Sequence, residues 1–259
     1  MLLQEFDPET RAVIDPSDII RKRRDMPEIV LTCFTKETMD RLIEQNEGEV
    51  FASLGTTSAK RRLYRIRYQG RTFGAYLSDA GAAIASLILE NVYQMGAETV
   101  IAYGSCGVLD RTIEDGCVII PTSAFRDEGT SYHYQPPSDE IPVNPKYQEE
   151  FQRILTREGA SWRTGRVWTT DAFYRETPEK AKRRRDAGCI AVDMECSALT
   201  AVARFRGRDL FQFFHAADNL DAEAWDRRSL DKFDRRHKKD LFSHYALELA
   251  RELSGGNDG

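Results

Sequence analysis

Four segments of this sequence gather residue types that can do chemistry. AYGSCGVL (102–109) places Gly104, Ser105 and further small residues directly after an apolar run. Such a stretch can expose backbone N–H groups in a concave nest that suits an anion or a hydroxyl-bearing ligand. It can equally be a tight turn that needs glycine for its backbone angles. FRDEGTSYHY (125–134) packs charges, hydroxyls, aromatic rings and His133 into ten residues after CVIIP, either as a ligand-binding loop or as an exposed loop whose rings pack locally. VDMECSAL (192–199) sets Asp193 and Glu195 on either side of Met194. A carboxylate there, where a strand passes into a helix, is stabilised by the helix dipole whether or not it binds anything. HAADNLDA (215–222) ends an apolar run on Asp218. This residue is either a turn former or N-cap, or a general acid at the mouth of a pocket.

The elements that must position these segments are legible as periodicities. EIVLTCF (28–34), TVIAYG (99–104) and CVIIP (117–121) are short continuous apolar runs, the pattern of strands buried on both faces. LYRIRY (63–68) and RTFGAYLS (71–78) flank Gln69-Gly70 and read as a hairpin, and GRVWTTD (165–171) and DLFQFFHAAD (209–218) as further strands. Helices are expected over 36–45, over 80–96 with a stop at Gly96, over 145–159, over 194–207, and from near Trp225 to Leu253. Strands alternating with helices, with no repeat or break in composition, predict an α/β fold: a single domain with a mixed, twisted central sheet flanked by helices. The expected division is an irregular lead-in over 1–27 and the α/β domain over 28–253.

In such sheets ligands collect beyond the carboxyl ends of strands, where all four segments fall. Hydrophobic residues make up 41% of the chain and charged residues 31%, and no run nears the roughly 18 apolar residues that a membrane span needs. The net charge of −5 argues against a nucleic-acid surface. MLLQEFDPETR lacks the basic start and apolar stretch of a secretory signal. The five cysteines are scattered and odd in number, without zinc-like spacing, and read as reduced thiols. A cytoplasmic protein is expected, with no metal or organic cofactor.

In order and spacing, the four segments resemble the nucleoside phosphorylase family, which includes uridine phosphorylase, the hexameric purine nucleoside phosphorylases and the methylthioadenosine nucleosidases. The resemblance runs from about Glu28 to about Asp221. AYGSCGVL is similar to the family's phosphate loop and VDMECSAL to its ribose-binding signature. FRDEGTSYHY and DAFYRET (171–177) look like uridine phosphorylase segments, and HAAD resembles the segment that carries the catalytic Asp of purine enzymes. The resemblance implies a pentosyltransferase that cleaves a nucleoside with inorganic phosphate as co-substrate, in a homo-oligomer, a dimer or a hexamer. It implies that Glu195 accepts hydrogen bonds from ribose hydroxyls, a task for which a carboxylate is suited because it only accepts. It implies that Met194 packs against the sugar, that Phe173 lines the base pocket, that Ser105 and the backbone of Gly104 hold phosphate, and that Asp218 protonates the departing base. His133 would either contact substrate or cap a loop.

Two departures bear on the nucleophile. Phosphorylases of this family usually carry an Arg three residues before the loop's Ser or Thr, where this chain has Ala102. They also carry a Gly-Asp-Pro loop with a following Arg after the first strand, where this chain reads TCFTKET (32–38). Lys36 could substitute, or Lys60, Arg61 and Arg62 reaching in from a neighbouring subunit. Alternatively water is the nucleophile and the chain is a nucleoside hydrolase, with Glu37 near the position where nucleosidases carry the Glu that activates water; or the chain binds a nucleoside without cleaving it. The Gln and Arg with which uridine phosphorylases read uracil are not matched in RETPEK (175–180). A purine-like base is therefore expected.

Overall fold

In the computed structural model, residues 4–55, 60–222, 224–228 and 236–255 are described. Parallel strands β1 (Ile29–Cys33), β4 (Arg71–Leu77) and β5 (Thr99–Val108) form the middle of the sheet, and β2 (Glu49–Gly55) and β3 (Lys60–Tyr68) extend it antiparallel beyond β4. On the other side β5 pairs with two strands, β9 (Cys189–Asp193) and β10 (Asp209–Asn219). These are joined through β6 (Val118–Asp127) and β8 (Trp162–Thr170), so β5, β10, β6, β8 and β9 close into a ring. The short β7 (Glu140–Pro142) adds to β6.

The alternation of side chains along the central strands feeds two apolar layers. Leu31, Ile101, Phe211 and Phe213 face α2 (Lys36–Gln45), α4 (Gln148–Arg157) and α7 (Arg236–Gly255). Val30, Val100 and Ala102 face α3 (Ala82–Met95) and α6 (Cys196–Phe205). The lead-in contributes the four-residue α1 (Pro16–Ile19), capped by Asp15. All five cysteines are buried and free. Among the described residues no helix is long and apolar enough to cross a membrane.

Several elements differ from expectation, each for a physical reason. The strand β2 was not anticipated because EVFASLG does not alternate; only Leu54 is buried in it, and pairing with β3, interrupted by a bulge at Val50/Ala52, holds it. The helix α5 (Pro178–Asp186) buries only Ala181, so its sequence carries no apolar stripe; Thr177 as N-cap and Pro178 at the first turn start it. Phe125–Asp127 extends β6, and Thr130–His133 is a 3-10 turn. Before α7, Asp226 pairs back to Asn219 as an isolated bridge, so the final helix does not begin at Trp225.

The hairpin between β3 and β4 turns on two left-handed residues, Gln69 at φ 46° and Gly70 at φ 78°, the pair of positive angles that matches the strand twist. Gly70→Ala meets no atom within 4 Å, so its whole effect is backbone strain. The expected loss is about 1–2 kcal/mol, read as a lower urea midpoint with an unchanged slope. An unchanged midpoint would show that the turn relaxes without cost.

Candidate active site

Three of the four segments, AYGSCGVL, VDMECSAL and HAADNLDA, meet with part of DAFYRET around a cavity of about 160 Å³ at the carboxyl ends of β5, β9 and β10, and FRDEGTSYHY does not line it. Its wall includes Phe34, Ala80, Ser105, Phe173, Glu176, Met194, Glu195 and Asp218. Four carboxyl groups line it (Glu176, Asp193, Glu195 and Asp218), and no Lys or Arg does among the described residues.

The acidic pair of VDMECSAL divides its work. Asp193 Oδ2 accepts the backbone N–H of Glu195 (2.8 Å) and of Cys196 (2.6 Å), capping the start of α6. Its Oδ1 accepts Thr169 Oγ1 at 2.8 Å; Thr169 Oγ1 in turn accepts the Ser197 N–H, and Ser197 Oγ donates to Glu128. Glu128 Oε2 accepts the N–H of Ser131, so this buried chain ties the 130–133 turn to the helix. Burial pushes Asp193 up to about 6 against these hydrogen bonds. With its backbone fixed, Glu195 points its carboxyl into the cavity, where Oε1 accepts the Gly81 N–H at 2.5 Å. Burial, reinforced by the nearby Asp193, pushes Glu195 up to about 8.

Asp218 is buried at the end of β10, and desolvation raises its pKa. The Trp225 indole N–H donates to its Oδ2 at 2.8 Å and, with the charge of Arg228, opposes that rise. Gly107 is its neighbour on β5, where a Cβ would lie 2.5 Å from Leu220 Cδ1 and 3.3 Å from Asp218 Oδ1. Asp221, the other carboxylate of this segment, is held outside the cavity by Arg111 at 3.2 Å and Arg185 at 3.7 Å, and is lowered chiefly by the hydrogen bond from Arg111.

The expected phosphate contacts are placed differently. Gly104 and Ser105 do not form a loop nest; they continue β5, paired with Phe214 and His215 of β10. Neither β1 nor β9 covers the other edge of β5 between Gly104 and Cys106, and Phe34 stands there: a Cβ on Gly104 would lie 3.0 Å from Phe34 Cδ2. Ser105 is the exposed position of an otherwise buried strand and faces the cavity. Arg61 does not line the cavity. It grips Asp79 of its own chain, with Nε 2.9 Å from Oδ2 and Nη2 on Oδ1. Lys36 pairs with Asp40 in the exposed first turn of α2, and Glu37 is exposed there, outside the cavity wall. His133 lines a separate cleft with the lead-in segment and α3, so the structure does not bring it to Glu195 and Asp218.

Phe34 and Glu176 are wall residues to which the reading of the sequence gave no role. Phe34 lay at the end of EIVLTCF, read only as a strand, and in TCFTKET, where a family motif is missing. Glu176 lay in DAFYRET, noted for its resemblance, and in RETPEK, noted for lacking the groups that read uracil; a carboxylate three residues beyond Phe173 was its signal.

The model of the phosphorylase superfamily matches residues 28–249. A guanosine phosphorylase from Halorubrum lacusprofundi is 30% identical over 154 residues, which are 58% of this chain and 63% of that protein, so the chain spans less than two thirds of that relative's length. A uridine phosphorylase from Vibrio fischeri superposes with a TM-score of 0.76 at 22% identity, over 93% of this chain and 99% of the other. A 5′-methylthioadenosine/S-adenosyl homocysteine nucleosidase from Campylobacter jejuni gives 0.72 at 16% identity, over 87% and 99%. At these identities the likeness to the two structures concerns the fold.

Proposed function

Because the chain belongs to the phosphorylase superfamily, we propose that its carboxyl-lined cavity cleaves the N-glycosidic bond of a purine-type nucleoside. The observation that carries this reading is the convergence of the buried carboxyl groups of Glu195 and Asp218 on one cavity beyond the strand ends. Glu195 has one oxygen on the Gly81 N–H and its other oxygen for the sugar hydroxyls; Met194 packs beside the ring and Phe173 against the base. Asp218, whose pKa burial raises, gives its proton to N7 as the C1′–N9 electron pair moves into the base.

The acceptor we propose is water. A phosphate dianion entering this wall would find no Lys or Arg among the described residues to neutralise its charge, and Phe34 lies against Gly104. Water beside Ser105 adds its oxygen to C1′ and releases its proton, and Asp218 regains one from solvent. Family membership supports the second reading, phosphorolysis in a homo-oligomer whose neighbouring subunit brings in a cation such as Arg61 after release from Asp79.

Release of free base from a panel of nucleosides, with and without phosphate, tests both. Release that persists in phosphate-free buffer, with unphosphorylated pentose as product, is the expected result. Strict dependence on phosphate would overturn water and support phosphorolysis. No release under either condition would leave a binding protein.

A further inference from the structure

Asp218 is held from outside the cavity that it serves. Its Oδ2 accepts the indole N–H of Trp225 at 2.8 Å, yet Trp225 is not part of the cavity wall and about half of it is exposed. The local chain fixes the ring there. Asn219 and Asp226 exchange backbone hydrogen bonds, the Asn219 N–H to the Asp226 carbonyl at 2.9 Å and the Asp226 N–H to the Asn219 carbonyl at 3.3 Å, so the chain turns back on the end of β10. Arg228 Nη1 then donates to the Ile113 carbonyl at 2.7 Å, and the guanidinium of Arg227 lies 5.0 Å from the centre of the indole ring. An aromatic ring carried on a pinned turn, with its one polar atom on the acid, has a task besides filling space.

The two oxygens of Asp218 meet different surroundings. Oδ2 is on Trp225. Oδ1 is on the side of Gly107, where a Cβ would lie 3.3 Å from it, and Gly107 is itself part of the cavity wall. Oδ1 is therefore the oxygen on the cavity side. An indole N–H only donates, and a protonated carboxyl has one hydroxyl oxygen and one carbonyl oxygen. A proton on Oδ2 would oppose the indole proton, whereas a proton on Oδ1 leaves Oδ2 to accept.

We propose that Trp225 is a positioning residue for glycosidic-bond cleavage: its indole N–H holds Oδ2 as the acceptor and so places the transferable proton of Asp218 on Oδ1, toward the base. The same bond helps the proton leave. When Oδ1 gives its proton to the base, the carboxylate keeps the electron pair of the O–H bond, and a hydrogen bond to the charged form is stronger than one to the neutral form. Burial holds the proton on Asp218, and the indole opposes that hold. Trp225→Phe keeps an aromatic ring and loses both effects, the choice of oxygen and the support of the charge.

This inference rests on Asp218 as the acid of the proposed function, and the test separates the two. Its first readout needs no turnover. In the proton–nitrogen spectrum the Trp225 indole resonance, identified as the one missing from Trp225→Phe, is expected to shift with pH above the ordinary carboxylate range in the parent and to stay still there in Asp218→Asn. An indole resonance that does not sense Asp218 would overturn the proposal. The second readout is kinetic, with inosine as the probe. Trp225→Phe is expected to lower kcat about tenfold, the order expected for a lost hydrogen bond to a charged group, with KM changed far less. The indole bond favours the ionised acid, so its loss raises the pKa of Asp218, and the alkaline limb of the kcat/KM profile moves to higher pH. A lower rate with an unmoved limb would overturn the proposal and leave Trp225 a packing residue, and so would a profile that coincides with the parent. A parent that cleaves no nucleoside, or an Asp218→Asn variant that cleaves at the parent rate, would overturn the acid itself and with it the catalytic use of the indole bond. That failure is recognised by an indole resonance that still follows Asp218.

Discussion

Asp218→Asn slows cleavage of a purine nucleoside by about 10²–10⁴-fold, the range that general acid catalysis contributes, and changes substrate affinity far less. Asparagine keeps the shape and an oxygen to accept the Trp225 indole N–H that holds Asp218 at 2.8 Å, so the wall is preserved and only the transferable proton is lost. The pH profile gives an independent readout. Asp218 works in its protonated form, and burial raises its pKa above the usual carboxylate value. Activity therefore falls as pH rises through that raised value, and Asp218→Asn removes this limb of the profile. A folded variant that cleaves inosine or adenosine at the parent rate would exclude Asp218 as the acid. A parent enzyme that accepts only uridine would exclude the purine assignment.

Glu195→Gln weakens nucleoside binding by about 1.5–3 kcal/mol, the cost of a lost charge-assisted hydrogen bond, which is roughly 10- to 150-fold in Kd. In the empty cavity burial keeps Glu195 largely neutral near pH 7, since its pKa stands at about 8. Sugar hydroxyls donating to its oxygens favour the carboxylate, so binding near neutral pH releases a proton. The same shift acts on folding. The unfolded chain loses this proton near pH 4.3, and the folded chain keeps it to about pH 8. Between these values the folded state binds more protons, so this group makes stability fall as pH rises. Gln does not titrate, and the variant gains stability relative to the parent as pH goes from 5 to 8, read as the difference in urea midpoints. Unchanged affinity together with an unchanged pH dependence would remove Glu195 from the sugar site.

How much was legible depended on whether burial had left a period in the sequence. The strands β1 and β10 and the helices α2, α3 and α6 each bury a face or both faces, and apolar runs or helical spacing announced them. The strand β2 and the helix α5 bury one side chain each, and their sequences were silent. The site follows a similar division. Met194, Glu195, Phe173 and Asp218 stand at strand ends or on the segments that follow them and share one cavity. Gly104 and Ser105 suggested a loop because glycine usually marks one, but the ladder with β10 carries the strand on through them. The fates of Arg61 and Phe34 were set by partners distant in sequence, Asp79 and Gly104, which no local pattern reports.

The ring of β5, β10, β6, β8 and β9 also decides where this chain is exposed to aggregation. A closed ring offers an incoming strand no unpaired row of amides. Among the described residues the free margins of the sheet are the three-residue β7 and the seven-residue β2. On β2 the bulge at Val50/Ala52 breaks the even spacing of donors and acceptors, and the guanidinium of Arg65 lies 4.7 Å above the Phe51 ring. Strand addition thus has one long place to start, and there a bent backbone and a covering charge work against it.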